Sequence, residues 1–583
     1  MTDSGRASAR RVDRRTFLGG GLAAGGLLAG AGALARTAKA AAAPASPWSP
    51  AAPSAPPNIL VVLVDQLRFP CWFSPVPAGV GLPPNLAQLR QRAVSFERHY
   101  TAANDCTPSR SALLTGLYTH QTGCLLTSQS TLSPAFPTWG TMLRELGYQT
   151  YWYGKWHLTR GDRHWTAATG LPLLESYGFS GGTYPSPNGS PGQGWRVDPH
   201  ITDQFADFYA SHAREQPWCT TVSLVNPHDI AWWYERSDRV SAEASAVRVV
   251  HNLPPNFETP EQLIARHKPR LQRSLQDTSA ASFGPVPFTG RDVRSAWLPF
   301  LDLYVKLQLA VDDQIGRVMQ ILQSRPDVAA NTVVVFTADH GEYGASHGMR
   351  GKGAAAYEEG IRVPLLVDDH RGTVTQALEQ PRTQLTSSVD VAPLLLTIAS
   401  GSDAWRRDSA YAHLADRLAL ELILADPSAP GRPYVLHATD EIVTEYATEL
   451  YAADAPLHVV ALRTPQAKYA LYSNWTEKGF EVLAQGQESE LYDYTTPGGR
   501  LELDNAVGDH RLEEPLNAEL ERALTEELRA PLPEPLVAAA AAGFEDYETV
   551  AKEAAVVAAA RRKRNRDREF PSAAGLGRAA AIE

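Results

Sequence analysis

Six short segments of this 583-residue chain carry side chains whose types and spacing could do chemistry together. One begins with a thiol, Cys106-Thr107-Pro108-Ser109-Arg110, and continues Ser111-Ala112-Leu113-Leu114-Thr115-Gly116. A first helical turn tolerates proline, so Pro108 predicts Cys106 at a helix N-terminus, where unpaired N–H groups favour an anion. Asp65-Gln66 follows one apolar run, and Asp339-His340-Gly341-Glu342 follows another. Hard carboxylate oxygens of this kind suit calcium or magnesium, and the imidazole of His340 leaves manganese open. Gly154-Lys155-Trp156-His157 places a cation and an imidazole two residues apart, which on an extended chain puts Lys155 and His157 on one side. Asn226-Pro227-His228-Asp229 offers a second imidazole, whose ordinary pKa near ~6.5 suits a proton donor. His347-Gly348-Met349-Arg350-Gly351-Lys352 adds further basic groups, with the role of His347 open. Arg110, Lys155 and Lys352 together could surround one tetrahedral anion.

These segments need a scaffold that gathers them. Asn58 to Val64 is a continuous apolar run ending at Asp65, the pattern of a buried central strand, and it recurs from Cys219 to Val225 and from Thr332 to Ala338. Between them Thr138 to Leu146 and Leu301 to Leu322 repeat apolar residues at helical spacing. Strands alternating with helices, with polar groups after strand ends, predict a doubly wound α/β fold. We therefore expect a mixed, mostly parallel sheet flanked by helices over residues 58–425. Past Pro430, short strands at Tyr434 to His437, Val459 to Arg463 and Tyr469 to Ser473 predict a small antiparallel sheet within 426–535. Residues 536–583 are Ala-rich and read as a helical tail with a mobile end. Trp232, Trp233 and Tyr234, beside His228, could stack on a substrate or belong to the core; residues 230–300 otherwise match no interpretable motif.

The Cys106 segment resembles the sulfatase signature C-x-P-S-R-x-x-x-L-T-G at every defined position, and the other segments follow in that family's order. The resemblance runs from about residue 58 to 400, with a weaker echo at Glu490-Leu491-Tyr492-Asp493. It implies a formylglycine-dependent sulfuric ester hydrolase of the alkaline phosphatase superfamily. In that family a dedicated enzyme oxidises the cysteine to formylglycine (3-oxoalanine), and one hydroxyl of its hydrate attacks sulfur while the other later expels sulfate. By the same resemblance Asp65, Gln66, Asp339, His340 and the modified Cys106 bind one divalent metal, calcium first and manganese or magnesium as alternatives. Gln66 stands where many sulfatases have Asp, and His340 where many have Asn. Lys155 and His157 resemble the pair that holds and deprotonates the hydrate, His228 the donor to the leaving alcohol, and Lys352 the lysine that contacts sulfate. The Asp-Gln opening and Asp-His pair also occur in related phosphonate monoester and phosphodiester hydrolases, the main alternative; the Lys155-x-His157 pair argues against it. A non-catalytic extracytoplasmic binding protein of the same fold is the second alternative.

Composition is that of a globular protein, 44% hydrophobic and 20% charged. Residues 1–40 differ: Arg14-Arg15-Thr16-Phe17-Leu18 leads into an Ala/Gly/Leu run, and Ala38-Lys39-Ala40 offers a cleavage site. This resembles a twin-arginine signal peptide, followed by a Pro/Ala-rich linker over 41–57. Cleavage implies an extracytoplasmic location, secreted or in the cell envelope, with twin-arginine translocase and the formylglycine-generating enzyme as transient partners. It would remove seven Arg and Lys and two Asp, shifting the formal charge from -10 to -15. An acidic protein of this kind is no general binder of nucleic acid, and no stable membrane insertion is expected. The cluster Arg561 to Arg568 is the contrary feature and reads as a solvated helix end. Four irregularly spaced cysteines predict no disulfide framework. The substrate is expected to be a small-molecule or carbohydrate sulfate ester.

Overall fold

The computed structural model describes residues 56–69, 83–215, 217–233, 249–443, 449–475 and 482–569. The export signal, nearly all of the linker, Cys71, Tyr234 and the chain end therefore lie outside the described residues. So do the side chains of the basic cluster Arg561 to Arg568.

Up to residue 400 the strands are β1 (Asn58–Val64), β2 (Val94–Phe96), β3 (His99–Tyr100), β4 (Gln149–Gly154), β5 (Ser180–Gly181), β6 (Trp218–Leu224), β7 (Thr332–Ala338), β8 (Leu365–Asp369) and β9 (Thr386–Ser387). Seven of them form the central sheet in the order β2-β8-β7-β1-β6-β4-β5. The run from β7 to β5 is parallel, whereas β8 is antiparallel to both β7 and β2. β1 lies at the centre and is buried on both faces. Ile59, Val61 and Leu63 pack into a core with Trp139, Met142 and Leu395 on one side, while Leu60, Val62 and Val64 meet Phe205, Val311 and Ile315 on the other. Period-2 alternation into two separate apolar layers is what makes its sequence a continuous hydrophobic run.

The helices that fill these layers include Trp139–Glu145, whose N-cap Thr138 accepts from Gly140 and Thr141 amides, and Val391–Ser400 on one face. Gln193–His212 and Val293–Gln323 cover the other. The last begins eight residues before the Leu301 start expected from periodicity. Its extra turns pack Trp297 and Phe300 against Trp233, so Trp233 belongs to the core and offers no stacking platform.

A separate antiparallel sheet runs in the order β10 (Val435–Thr439), β11 (His458–Arg463), β12 (Ala467–Trp475), β13 (Val482–Asp493). It abuts the first sheet's machinery directly: Ala438 N donates to Ala102 O at 2.9 Å and Thr439 Oγ1 to Asp105 at 2.9 Å, just before Cys106. The Ala-rich segment forms the helix Glu534–Glu569, and Phe544, Tyr547 and Val550 bury against Leu125 and Leu126. Among the described residues no helix is long and apolar enough to cross a membrane.

Candidate active site

Parallel strands send their carboxyl ends the same way, and the site is assembled there. Asp65 N donates to Leu224 O, Asp339 N to Val64 O and Lys155 N to Ser223 O, so β1, β7, β6 and β4 each hand one segment to the same edge. Cys106 enters as the first residue of the helix Cys106–Thr115, as Pro108 predicted, and is fully buried.

The Cys106 sulfur is the meeting point. Lys352 Nζ lies 2.8 Å from it, His340 Nε2 3.2 Å, Lys155 Nζ 3.5 Å, and the Asp65 carboxylate oxygens 3.8 and 3.9 Å. Ligand atoms of Asp65, Cys106, Asp339 and His340 all fall within 4.8 Å of one another. The two carboxylates are divided in the same manner. Asp65 Oδ2 takes Lys155 at 2.6 Å and Arg110 at 3.1 Å, and Asp339 Oδ2 takes Arg110 at 2.8 Å. Their Oδ1 atoms instead turn toward His340 Nε2, at 3.6 and 3.7 Å. His340 Nδ1 lies 3.0 Å from Gly341 O, which can only accept, so the proton resides on Nδ1 and the Nε2 lone pair faces the carboxylates. Two carboxylate oxygens and a neutral imidazole nitrogen converging on the Cys106 position make a donor set that fits a divalent cation.

Electrostatics keep the set in that state. Burial would raise the Asp65 carboxyl, but the fields of Lys155, His228, Arg110 and Lys352 hold it well below the ordinary carboxylate range. Burial, helped by Lys352, lowers His340 to about 4 against the pull of Asp339 and Asp65.

Other expected residues take more specific positions. Gln66 adopts a left-handed backbone, φ 65°; its Oε1 accepts from Lys352 at 3.3 Å and its Nε2 donates to Glu342 at 2.5 Å. Arg110 has every nitrogen committed to Asp339, Asp65, Lys155 O or Ser223 Oγ, which makes it the clamp on the carboxylates rather than a group facing open space. The extended-chain argument for Lys155 and His157 fails: β4 stops at Gly154 and His157 is left-handed, φ 57°. His157 is fixed by its N–H to Asp162 at 2.7 Å, its carbonyl to Thr107 Oγ1 at 2.8 Å and Nε2 to Ser128 Oγ at 2.7 Å. His228 is fully buried at the start of a short 3-10 turn. The loop before it is held by Asp198, which accepts from Val225 N at 2.7 Å and Asn226 N at 2.9 Å. His347 is structural, hydrogen-bonded to Glu258 at 2.6 Å and stacked on Tyr357 at 3.6 Å.

Glu342, Asp162, Ser128 and Asp198 escaped the sequence reading. Glu342 stands three residues after Asp339 and Asp162 five after His157, but nothing in their spacing marks them, because each acts through a tertiary partner.

The fold agrees with that of known proteins that resemble this chain. The family pattern "Sulfatase" matches residues 57–402. A Delta 4,5-hexuronate-2-O-sulfatase of Bacteroides thetaiotaomicron is 26% identical over 77% of this chain and 84% of its own length. A choline-sulfatase of Rhizobium meliloti is 25% identical over 74% and 81%. Among solved structures, a phosphonate monoester hydrolase from Silicibacter pomeroyi superposes with a TM-score of 0.61 at 21% identity, covering 82% of this chain and 96% of the other. A 2-O GAG sulfatase gives 0.56 at 21%, covering 80% and 90%. At that identity the structural likenesses speak for the fold, whereas the family pattern spans more than half of the chain: the protein belongs to the sulfatase family and is a sulfuric ester hydrolase.

Proposed function

We propose that the protein hydrolyses sulfate esters with a formylglycine made from Cys106 as nucleophile and one divalent metal ion, calcium first. The observation that carries this is the convergence of Lys352, His340, Lys155 and Asp65 on the Cys106 sulfur. When formed, the aldehyde hydrate supplies two hydroxyls on one carbon, one to attack sulfur and one to release sulfate. Asp65, Asp339, His340 and Cys106, with the Gln66 amide beside them, would hold the cation, which would lower the hydrate's pKa and offset sulfate charge.

Lys352 and Lys155, whose Nζ atoms lie 2.8 and 3.5 Å from the Cys106 sulfur, meet the anionic oxygens. Arg110 keeps Asp65 and Asp339 ionised and aimed, and so acts by positioning. His228 donates the proton that the departing alkoxide needs. His157 accepts a proton from the hydroxyl at residue 106. Its Nε2 contact with Ser128 orients the ring for that task.

We also infer twin-arginine export, modification by a formylglycine-generating enzyme, and a division into catalytic part (58–425), C-terminal part (426–535) and helical tail (536–583). Arg14-Arg15 and Ala38-Lys39-Ala40 support the first, and the Cys106 signature the second.

The phosphonate monoester reading differs in substrate charge. Rates on matched aryl sulfate, phosphate diester and phosphonate monoester substrates test it, together with the mass of the Cys106 peptide. Sulfate should be preferred and the peptide should be lighter than the thiol and react with hydrazide. An intact thiol in fully active enzyme, or preference for a phosphorus ester, overturns the proposal.

A further inference from the structure

A cavity of about 410 Å³ lies close to the nucleophile, and of its lining only His157 takes part in the chemistry above. Thr107, the chain neighbour of Cys106, lines it, as do His157 and its partner Ser128. Asn188 forms another wall, and the adjoining Gly189 lies against the His228 ring. A leaving group accepting its proton from His228 would therefore extend into this space. Its size falls in the ~300–1,000 Å³ range of small-molecule sites.

The lining is unusual for a site that takes an aromatic alcohol. Among its described residues there is no Phe, Tyr or Trp, and Val443 is the one aliphatic side chain. Thr127, Gln129, Ser130 and Thr159 present hydroxyls or an amide instead. Two guanidinium groups stand at the wall. Arg160 is occupied: Nε donates to Gln129 O at 2.9 Å and Nη2 faces Asp546 at 3.7 Å. Arg163 is exposed, bonds only His164 Nε2, at 3.1 Å, and has no carboxylate partner among the described residues. The acidic groups of the cavity are already engaged, Asp162 by the His157 amide and Ser186, Glu441 by the Thr127 amide. A polar cavity with a guanidinium that makes no ion pair among the described residues favours hydroxyls and a carboxylate or sulfate.

We propose that the alcohol half of the substrate is a polyhydroxylated, sugar-like group carrying a second anion, and that Arg163 recognises that anion. The inference rests on the sulfate ester reading and names its substrate class. The second anion could be a carboxylate or a further sulfate, since the guanidinium meets either through paired N–H donors.

Three sulfate esters of one hexose decide it: neutral, with a carboxylate at the far carbon, and with a second sulfate there; an aryl sulfate serves as reference. An acidic sugar should exceed the neutral one by about tenfold in kcat/KM, mainly through KM. Arg163→Ala should bring that ratio near one, and Arg163→Lys should restore part of it. Whichever acidic ester gains identifies the anion. Equal rates on neutral and acidic sugars, a ratio indifferent to Arg163→Ala, or a preference for the aryl ester overturns the proposal. Calorimetric binding of the desulfated acidic sugars separates this failure from that of the parent reading. Arg163-dependent binding without hydrolysis of any sulfate sinks the hydrolase reading alone, and turnover of sulfates without such binding sinks the subsite alone.

Discussion

His228 and Asp339 should fail in different ways when changed, because one serves a proton and the other a charge. An alkyl alkoxide leaves only with a proton, whereas an activated phenolate departs without one. His228→Ala should therefore lower kcat on alkyl sulfates by roughly 10²–10⁴-fold and on an activated aryl sulfate far less. Parallel losses across leaving groups, measured as a kcat series, would remove His228 from the donor role. Asp339→Asn keeps the side chain's shape but takes the charge from a carboxylate whose Oδ1 faces His340 Nε2 at 3.7 Å. Metal retained after dialysis, read by elemental analysis, should fall by roughly tenfold or more; unchanged retention would show that the ion is held elsewhere. Asp65, Cys106, Lys155, Asp339 and His340 were legible because each follows a strand end or opens a helix within a spaced motif, and Lys352 through its place in the His347-to-Lys352 segment. The function of Arg110 was not, because only the folded chain reveals that its nitrogens are spent on Asp65 and Asp339.

The loop over His228 shows how an element fixes a residue. Gln193 Oε1 accepts from the amides of Asn188, Gly189 and Ser190 at 2.9, 2.7 and 3.1 Å, and Trp232 Nε1 donates to Gly189 O at 2.6 Å. Gly189 has φ +87°, and a Cβ there would lie 2.3 Å from His228 Cε1, so no other residue fits without moving the imidazole. Gly189→Ala should reproduce the His228→Ala pattern at smaller size, about 10²-fold on alkyl sulfates, since a shift near 1 Å is enough. An alanine variant with wild-type turnover on every leaving group would mean that the ring is not held by this loop. Central strands such as β1 and β7 announced themselves as apolar runs because both faces are buried. β13, VLAQGQESELYD, did not, since much of it is exposed and polar. The short strands β2, at the sheet edge, and β8, next to it, have too few residues for any period to register, and their antiparallel pairings are a property of the folded sheet alone.

Across the whole molecule the C-terminal sheet braces the nucleophile rather than trailing behind it. β10 bonds the 101–105 segment, and His437 Nε2 reaches Asn104 Oδ1 at 3.2 Å. The same junction carries an ion pair, Arg463 Nε to Glu358 Oε1 at 3.0 Å, with Tyr100 donating to Glu358 Oε2 at 2.9 Å. Burial would raise the Glu358 carboxyl, but Arg463, then Lys468 and Arg362, lower it well under its ordinary value of 4.5. The folded state thus binds fewer protons there than the unfolded chain. Glu358 stabilises the fold fully above about pH 4.5, and that contribution is lost as pH falls toward its depressed folded value. Arg463→Met removes the principal cation, and at neutral pH it should cost roughly 1–3 kcal/mol in denaturant unfolding. The difference from wild type should shrink steadily below about pH 4.5, because protonated Glu358 no longer needs the arginine. A gap that stayed constant from pH 7 to pH 3 would mean that Arg463 acts by packing on Tyr494, 3.9 Å from its ring centroid, and that charge does not join the two sheets.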